Sequence, residues 1–295
     1  MKTSAWSLAC IGLLGYTAPV AAAEGPTAAP RGDWTLVSRS ELCSLQRQFG
    51  DEGDLQLRMD TFGSRTNFQF TVTGKLVPFK RGSGTDIRLA FTPDSVMREK
   101  FPVVHGQIGS RASVTFPTGF FPVLSTIDQA LLAPGQRTPA QRAELDRIGL
   151  EFVRGVTDIS IEFPLREPLK ILTGSMAEPL ARLRACVDKL NVKWGLDPEA
   201  RRTFIRDAAP LPETFAAARQ ALSGLSVPRG ITAIPARVRV DEAGRATECV
   251  IQTDVGARVS EFLCAGLRGE YTPALDSTGQ PVASMYHTMM QIYAQ

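Results

Sequence analysis

The chain has only two histidines, so imidazole chemistry would rest on His105 and His287. A protein zinc site draws on at least three convergent ligands, and a histidine acting as a general base needs a nucleophile beside it. The most suggestive hydroxyl, Ser175, lies in Thr-Gly-Ser-Met and lacks the Gly-x-Ser-x-Gly context of a hydrolase nucleophile. We therefore predict no catalytic residue, no metal and no cofactor, and hence a protein that is not an enzyme.

An acidic cluster surrounds Gly53, with carboxylates at Asp51, Glu52 and Asp54. Carboxylate oxygens are ligands for calcium, but these residues lack the one-three-five-to-twelve spacing of an EF-hand loop. The cluster therefore predicts a solvated turn.

The bulk composition is that of an ordinary globular protein. Of its residues, 43% are hydrophobic and 21% are charged. The length of 295 residues fits two domains of roughly 100–200 residues each. Its formal net charge of +3 is weak and includes no run of basic residues. This charge excludes nucleic acid as an expected partner.

The first 23 residues have the three parts of a secretory signal. Lys2 supplies a positive charge, positions 8–20 are mostly apolar, and three alanines end at Ala23 before Glu24. The apolar run of about thirteen residues is shorter than the roughly twenty that cross a bilayer core. We predict a cleaved signal over 1–23 and a mature protein in an oxidising compartment, the periplasm. An uncleaved anchor in the inner membrane, facing the periplasm, is the alternative.

Strand patterns dominate positions 33–195. Apolar residues alternate with polar ones in LQLRMD, TNFQFTVTG, DIRLAF, RASVTF, VTDISIEF and LKILTG. Two helices interrupt these patterns. One begins at Thr138 as N-cap with Pro139 in the first turn, and the other covers 177–190 with an apolar stripe of Leu180, Leu183, Val187 and Leu190. We predict a mostly-β domain with flanking helices.

Proline-punctuated sequence fills positions 196–230, around one short Ala-rich amphipathic piece. Such composition is typical of a connection with one or two helical turns. We predict a linker here and a second, small domain over 231–295.

The last segment alternates strands with one helix. Ala236, Val238 and Val240 alternate with charged residues before an Asp-Glu-Ala-Gly-Arg turn, and Cys249 lies on the returning strand. A helical stripe follows, formed by Val259, Phe262, Leu263 and Leu267, and positions 282–294 are strand-like again. The predicted order is strand, strand, helix, strand, so the whole chain is predicted as α+β.

These residues resemble the C-terminal domain of TonB, the periplasmic energy transducer of Gram-negative bacteria. The resemblance covers about a fifth of the chain and agrees at about a dozen positions in the right structural order. Its signature is an aromatic-x-Pro-Ala followed by Asp-x-x-Gly-x-Pro-Val, present here as Tyr271, Pro273, Ala274, Asp276, Gly279, Pro281 and Val282. The region upstream, from Trp34 to Gly195, is similar to uncharacterised periplasmic proteins of alphaproteobacteria.

The resemblance implies a binding mode. In TonB the edge of this small sheet accepts an extended peptide of an outer-membrane receptor by strand addition. The corresponding edge here is the final strand, and the residues expected to face a partner are Met285, His287, Met289, Gln291 and Tyr293. Methionine suits an adaptable contact surface, but it also fills cores, and both interpretations stay open. The signature residues are expected to shape the loop rather than to catalyse.

The cysteines left after signal removal are Cys43, Cys186, Cys249 and Cys264. Four thiols allow three pairings, and the domain organisation favours one. Cys249 and Cys264 share the TonB-like segment, where a bridge would close a loop of about fifteen residues worth roughly 3 kcal/mol. The other two would tie the first element of the upstream domain to its last. A metal or redox site is disfavoured because the chain has no Cys-x-x-Cys.

The resulting hypothesis is a periplasmic adaptor that binds a protein or peptide of the cell envelope and has only indirect membrane contact. One alternative is a membrane-anchored TonB-type energy transducer for outer-membrane transport. The short apolar run and the lack of a long Pro-rich spacer disfavour it. Another is an envelope enzyme with its site in the upstream domain, which a pocket with two or more titratable groups at hydrogen-bond distance would favour.

N-terminal sequencing of the exported protein distinguishes the first two hypotheses. We expect the mature chain to start near Glu24, because the alanines before it match the small-residue cleavage pattern. A mature chain that retains residues 1–23 would contradict the prediction and favour the anchored alternative.

Overall fold

The computed structural model describes residues 25–78, 86–93, 98–120, 138–163, 165–223 and 233–291. The predicted signal peptide lies outside the described residues. Helices and strands are both abundant, which confirms the α+β class.

Two sheets form the N-terminal unit (residues 25–195). Its strands are β1 Thr27–Ala28, β2 Pro30–Ser38, β3 Cys43–Phe49, β4 Leu55–Thr61, β5 Phe68–Thr73, β6 Asp86–Phe91, β7 Arg98–Pro102, β8 Val104–Ile108, β9 Arg111–Thr118, β10 Ile159–Phe163 and β11 Leu169–Ile171. One sheet has the order β2-β3-β4-β5-β9-β8 and is antiparallel throughout. The other has the order β1-β11-β10-β6-β7, with β1 and β11 parallel. All six predicted strand segments are confirmed.

One hydrophobic core is shared by the two sheets. Because side chains alternate across a strand, each sheet turns one apolar row inward. Leu57, Phe70 and Val114 come from the six-stranded sheet, and Leu89 and Ile161 come from the other. All five are fully buried, so the apolar alternation in the sequence is accounted for by this single core.

Both predicted helices of the N-terminal unit are present, as α1 Pro139–Gly155 and α2 Ala177–Lys193. α1 begins with a capping box: the Thr138 hydroxyl accepts from the Gln141 amide at 3.2 Å, and the Gln141 side chain accepts from the Thr138 amide at 2.8 Å. The predicted apolar stripe of α2 is buried against the sheet core. A disulfide between Cys43 of β3 and Cys186 of α2 holds the helix there.

A three-stranded sheet forms the centre of the C-terminal unit (residues 203–291). The elements that follow α2 are α3 Pro198–Arg202, β12 Ala209–Pro210, α4 Pro212–Ser223, β13 Ala233–Val240, β14 Ala246–Ile251, α5 Ala257–Leu267, β15 Tyr271–Thr272, β16 Ala274–Leu275, β17 Pro281–Val282 and β18 Ser284–Gln291. The sheet order is β14-β13-β18, both pairs antiparallel. The second disulfide, Cys249–Cys264, joins β14 to α5, so both predicted pairings are those of the structure.

The described part of the segment predicted as a linker (196–230) contacts both units: α3 contacts α2 through the Arg202–Asp188 ion pair, and α4 packs against α5. α3 and α4 occupy it, and α4 is longer than the one or two turns expected. Ala218 and Ala221 of α4 join the core cluster of α5 and β13. The helices approach closely at Gly266 of α5, where an added Cβ would come within 3.1 Å of the Ala217 carbonyl oxygen.

The two disulfides should differ in their contribution to stability. Cys43–Cys186 spans 143 residues and Cys249–Cys264 spans 15, so the chain-entropy account assigns them about 5 and about 3 kcal/mol. We expect the C43A/C186A variant to lose more free energy of unfolding than C249A/C264A in urea titrations followed by circular dichroism. The reverse order would contradict this assignment.

Candidate functional site

The final described strand, β18, lies at an edge of the three-stranded sheet. Its eight residues pair with β13 in one unbroken register, from Ser284 opposite Val240 to Gln291 opposite Ala233. No described residue pairs with its other side. The predicted edge strand is therefore present, and of the five residues expected to face a partner only Tyr293 lies outside the described residues.

Pro235 in β13 shows which backbone groups of the sheet point in which direction. Proline has no N–H, and the Pro235 carbonyl accepts from the Gln252 amide at 2.9 Å, on the β14 side. Pro235 and the residues alternating with it therefore direct their backbone groups at β14. The intervening residues, such as Ala236 and Val238, direct theirs at β18.

The same alternation determines the open edge of β18. Tyr286 and Thr288, opposite Val238 and Ala236, use their N–H and C=O groups in the ladder with β13. The alternate residues, Met285, His287 and Met289, direct theirs outward, where no described residue bonds them. Met285 is only 3% exposed, so the accessible unbonded groups are those of His287 and Met289, two residues apart.

The side chains of these outward-bonding residues point to the sheet face opposite α5, towards the N-terminal unit. Met285 is buried in the core cluster of that unit. His287 lies 5.8 Å from Trp194, between ring centroids. Met289 is half-buried, and Gln291 is described only through its backbone. A partner at this edge would therefore meet mainly backbone, and the Met285 thioether fills a core.

His287 is a histidine whose ring nitrogens are buried and whose surroundings disfavour the charged ring. Burial lowers the pKa of His287 to about 3, and the positive charges of Arg201 and Arg237 add to this effect. Neither ring nitrogen makes a well-formed hydrogen bond, and the Phe62 backbone is the polar group that most favours the charged ring. The imidazole is neutral near pH 7.

Arg237 joins the face of the sheet to the N-terminal unit. It is only 7% exposed, and its guanidinium contacts Glu41 at 3.2 Å and Glu248 at 2.9 Å. The same group lies over the Trp194 ring, 4.9 Å from the centroid. The side-chain amide of Gln252 donates a hydrogen bond to the backbone carbonyl of Glu41 at 3.3 Å. This network sets the orientation of the three-stranded sheet.

The signature residues lie in the loop before β18 and beside it. Asp276 Oδ1 accepts from the amides of Thr278 at 2.8 Å and Gln280 at 3.0 Å. The hydrogen bond from the Thr278 hydroxyl contributes most to lowering the pKa of Asp276. Gly279 has φ of +84°, which favours glycine. Tyr271 is buried, and its hydroxyl donates to the Leu267 carbonyl at 2.8 Å. Pro281 begins β17.

The other candidates from the sequence take structural positions. His105 lies in β8. In the acidic turn, Asp54 accepts from the Asp51 amide at 2.8 Å and lies 3.9 Å from Lys75. The Ser175 hydroxyl accepts from the Ala177 amide at the start of α2. Among the described residues, no cluster of three or more potential metal ligands exists.

Two cavities contain titratable groups at hydrogen-bond distance. The larger, about 480 Å³, contains Arg65 and Arg202 in contact with Asp188. The smaller, about 330 Å³, contains Arg58 and Asp60, and burial raises the pKa of Asp60. Both cavities meet the condition stated for the envelope-enzyme alternative, and neither lining includes a histidine or cysteine among the described residues.

Two disulfides indicate that the chain folds outside the reducing cytoplasm. Among the helices that the structure describes, none is long and apolar enough to cross a membrane.

Comparison of the chain with protein-family models, with curated proteins and with solved structures finds no match.

The buried His287 predicts a loss of stability in acid. Its pKa is about 3 in the folded protein and about 6.5 in an unfolded chain, so the unfolded state binds more protons below pH 6.5. The free energy of unfolding therefore has its full value, as far as His287 is concerned, above pH 6.5. It falls by up to about 1.4 kcal/mol per pH unit as the pH drops towards 3. We expect His287→Leu to lose less free energy of unfolding than wild type between pH 8 and pH 5.

The comparison at pH 8 serves as the control, since both proteins are uncharged at position 287 there and differ only in packing. Equal losses of unfolding free energy in the two proteins on acidification would show that His287 is accessible to protons in the folded state.

Proposed function

We propose that this protein is an adaptor of the cell envelope that binds an extended peptide by strand addition along β18. The main support is the pair of outward backbone positions at His287 and Met289, which are partly exposed and which no described residue bonds. An extended peptide supplies complementary N–H and C=O groups at the same two-residue spacing.

The two edges of the sheet differ in a way that favours β18. β14 has a bulge at Thr247, since Arg239 pairs with Glu248 while Val240 pairs with Ala246. Bulges interrupt an edge and discourage further pairing. β14 is also bonded covalently to α5 through Cys249. β18 has neither feature, and its ladder with β13 is regular over eight residues.

The buried side chains indicate what kind of recognition the edge provides. Because Met285 and His287 turn towards the N-terminal unit, affinity along β18 comes mainly from main-chain hydrogen bonds. Such bonds tolerate many peptide sequences. Selectivity then falls to half-buried residues such as Thr288 and Met289. The expected partner is an extended, sequence-tolerant segment of an envelope protein.

The resemblance to the TonB C-terminal domain supports this proposal through its signature loop and its order of strand, strand, helix, strand. The energy-transducer alternative is less favoured, because residues 198–223 form α3, β12 and α4 instead of an extended Pro-rich spacer. The two disulfides and the predicted signal support a periplasmic location, and membrane contact would then be indirect.

Selection of peptides against the full-length protein tests strand addition. The probe is a phage-displayed library of seven-residue peptides, and a selected peptide is measured by fluorescence anisotropy. Met289→Pro removes an outward N–H that the ladder with β13 does not use. We expect this variant to stay folded by circular dichroism and to bind the peptide about tenfold more weakly or worse.

Two variants serve as controls. Met289→Val changes the side chain but keeps the N–H, so it should lose much less affinity than Met289→Pro. Thr247→Pro alters the opposite edge and should leave affinity unchanged. Unchanged affinity in Met289→Pro, or a loss only in Thr247→Pro, would contradict the proposal.

A further inference from the structure

The larger cavity is lined by more arginines than carboxylates. It lies between α1, α2, α3 and the loop after β4, and has a volume of about 480 Å³. Five arginines and three aspartates line it: Arg65, Arg142, Arg184, Arg201, Arg202, Asp146, Asp188 and Asp207. Their formal charges sum to +2, and Glu199, which pairs with Arg202 from outside the lining, reduces the local excess to +1.

The ion pairs satisfy only part of this set. Asp188 contacts both Arg65 and Arg202, and the Arg202 contact is 3.2 Å. Asp207 contacts Arg142 at 3.1 Å. Within the described residues, Arg184 and Arg201 have no carboxylate at ion-pair distance.

Arg184 and Arg201 are nevertheless desolvated. Burial is the main cause that lowers the pKa of each guanidinium. Arg201 is attracted by Asp207 but repelled by Arg142 and Arg65, which lower its pKa further. Both side chains are half-buried, and Arg184 Nε donates to the Arg65 carbonyl at 3.5 Å. A half-buried charge without a carboxylate partner has a desolvation cost, which an anion in the cavity would offset.

A second observation at the same place points to a ligand. Asn191 lines the cavity, is only 2% exposed, and its Oδ1 has no hydrogen bond within the described residues. Arg142 Nε is likewise buried without an acceptor. Buried polar atoms in proteins are nearly always bonded. The cavity therefore lacks an acceptor for Arg142 Nε and a donor for the Asn191 Oδ1 atom.

We propose that this cavity binds a small molecule with at least two anionic oxygens, from carboxylate or phosphate groups, and a hydroxyl or amine donor. Guanidinium groups bind both kinds of oxyanion through paired N–H donors. The volume is in the range of small-molecule sites, roughly 300–1,000 Å³. This site is separate from β18 and does not depend on peptide binding there.

Calorimetric titration of the full-length protein at low salt tests the proposal. The probes are citrate and glycerol 3-phosphate, which distinguish carboxylate from phosphate recognition, and uncharged glycerol is the control ligand. We expect at least one anion to bind and glycerol not to bind. Arg201→Met and Arg184→Met should each weaken that binding about tenfold or more.

Arg147→Met is the matched control, because Arg147 lies on the exposed face of α1 and pairs with Glu144 and Glu151 outside the cavity. It should bind like wild type. Without anion, Arg201→Met should keep or raise the thermal midpoint, whereas Asp188→Asn should lower it. No binding of either anion, equal binding by Arg201→Met and wild type, or a midpoint loss in Arg201→Met like that of Asp188→Asn would overturn the proposal.

Discussion

The buried guanidinium of Arg237 is the constraint on which the arrangement of the two units depends. A charge that is only 7% exposed is stable only when it is paired, and its partners come from both sides: Glu41 from the N-terminal unit and Glu248 from the neighbouring strand. The Trp194 ring under it ends α2, which Cys186 bonds to β3. One face of the small sheet is thereby fixed against a rigid base, and the edge of β18 is left open.

The two proposed sites do not share a surface, but the charge of Arg201 acts on both. Arg201 lines the cavity and also lies close enough to His287 to lower its pKa. An anion bound next to Arg201 would weaken the positive potential at the β18 face. The short helix α3, which the sequence suggests is part of a connection, therefore contributes charge to both places. Its N-cap Asp197 accepts from the Glu199 and Ala200 amides.

The sequence predicts the elements better than their contacts. Alternation in β13 and the cap at Thr138 are local signals, and both are confirmed. The burial of Met285 and His287 has no such signal, because apolar residues occur on both faces of MYHTMMQ and only long-range packing decides between them. The packing of α4 depends on Gly266, 40 or more residues away. The cavity arginines are spread from 65 to 202, so no charged run marks the site.

Pro235 has a consequence for how the chain avoids misassembly. Pro235 is tolerated in a central strand because β14 ends at Ile251, opposite Ala236. The N–H that Pro235 lacks would point beyond the end of β14, so the ladder between β13 and β14 loses no bond. If β13 paired one residue out of register, the position without an N–H would face β18 instead of β14. Arg237 and Arg239 would then enter the aliphatic layer beneath α5. A one-residue shift would therefore lose a ladder hydrogen bond and bury two charges, and both costs favour the observed register.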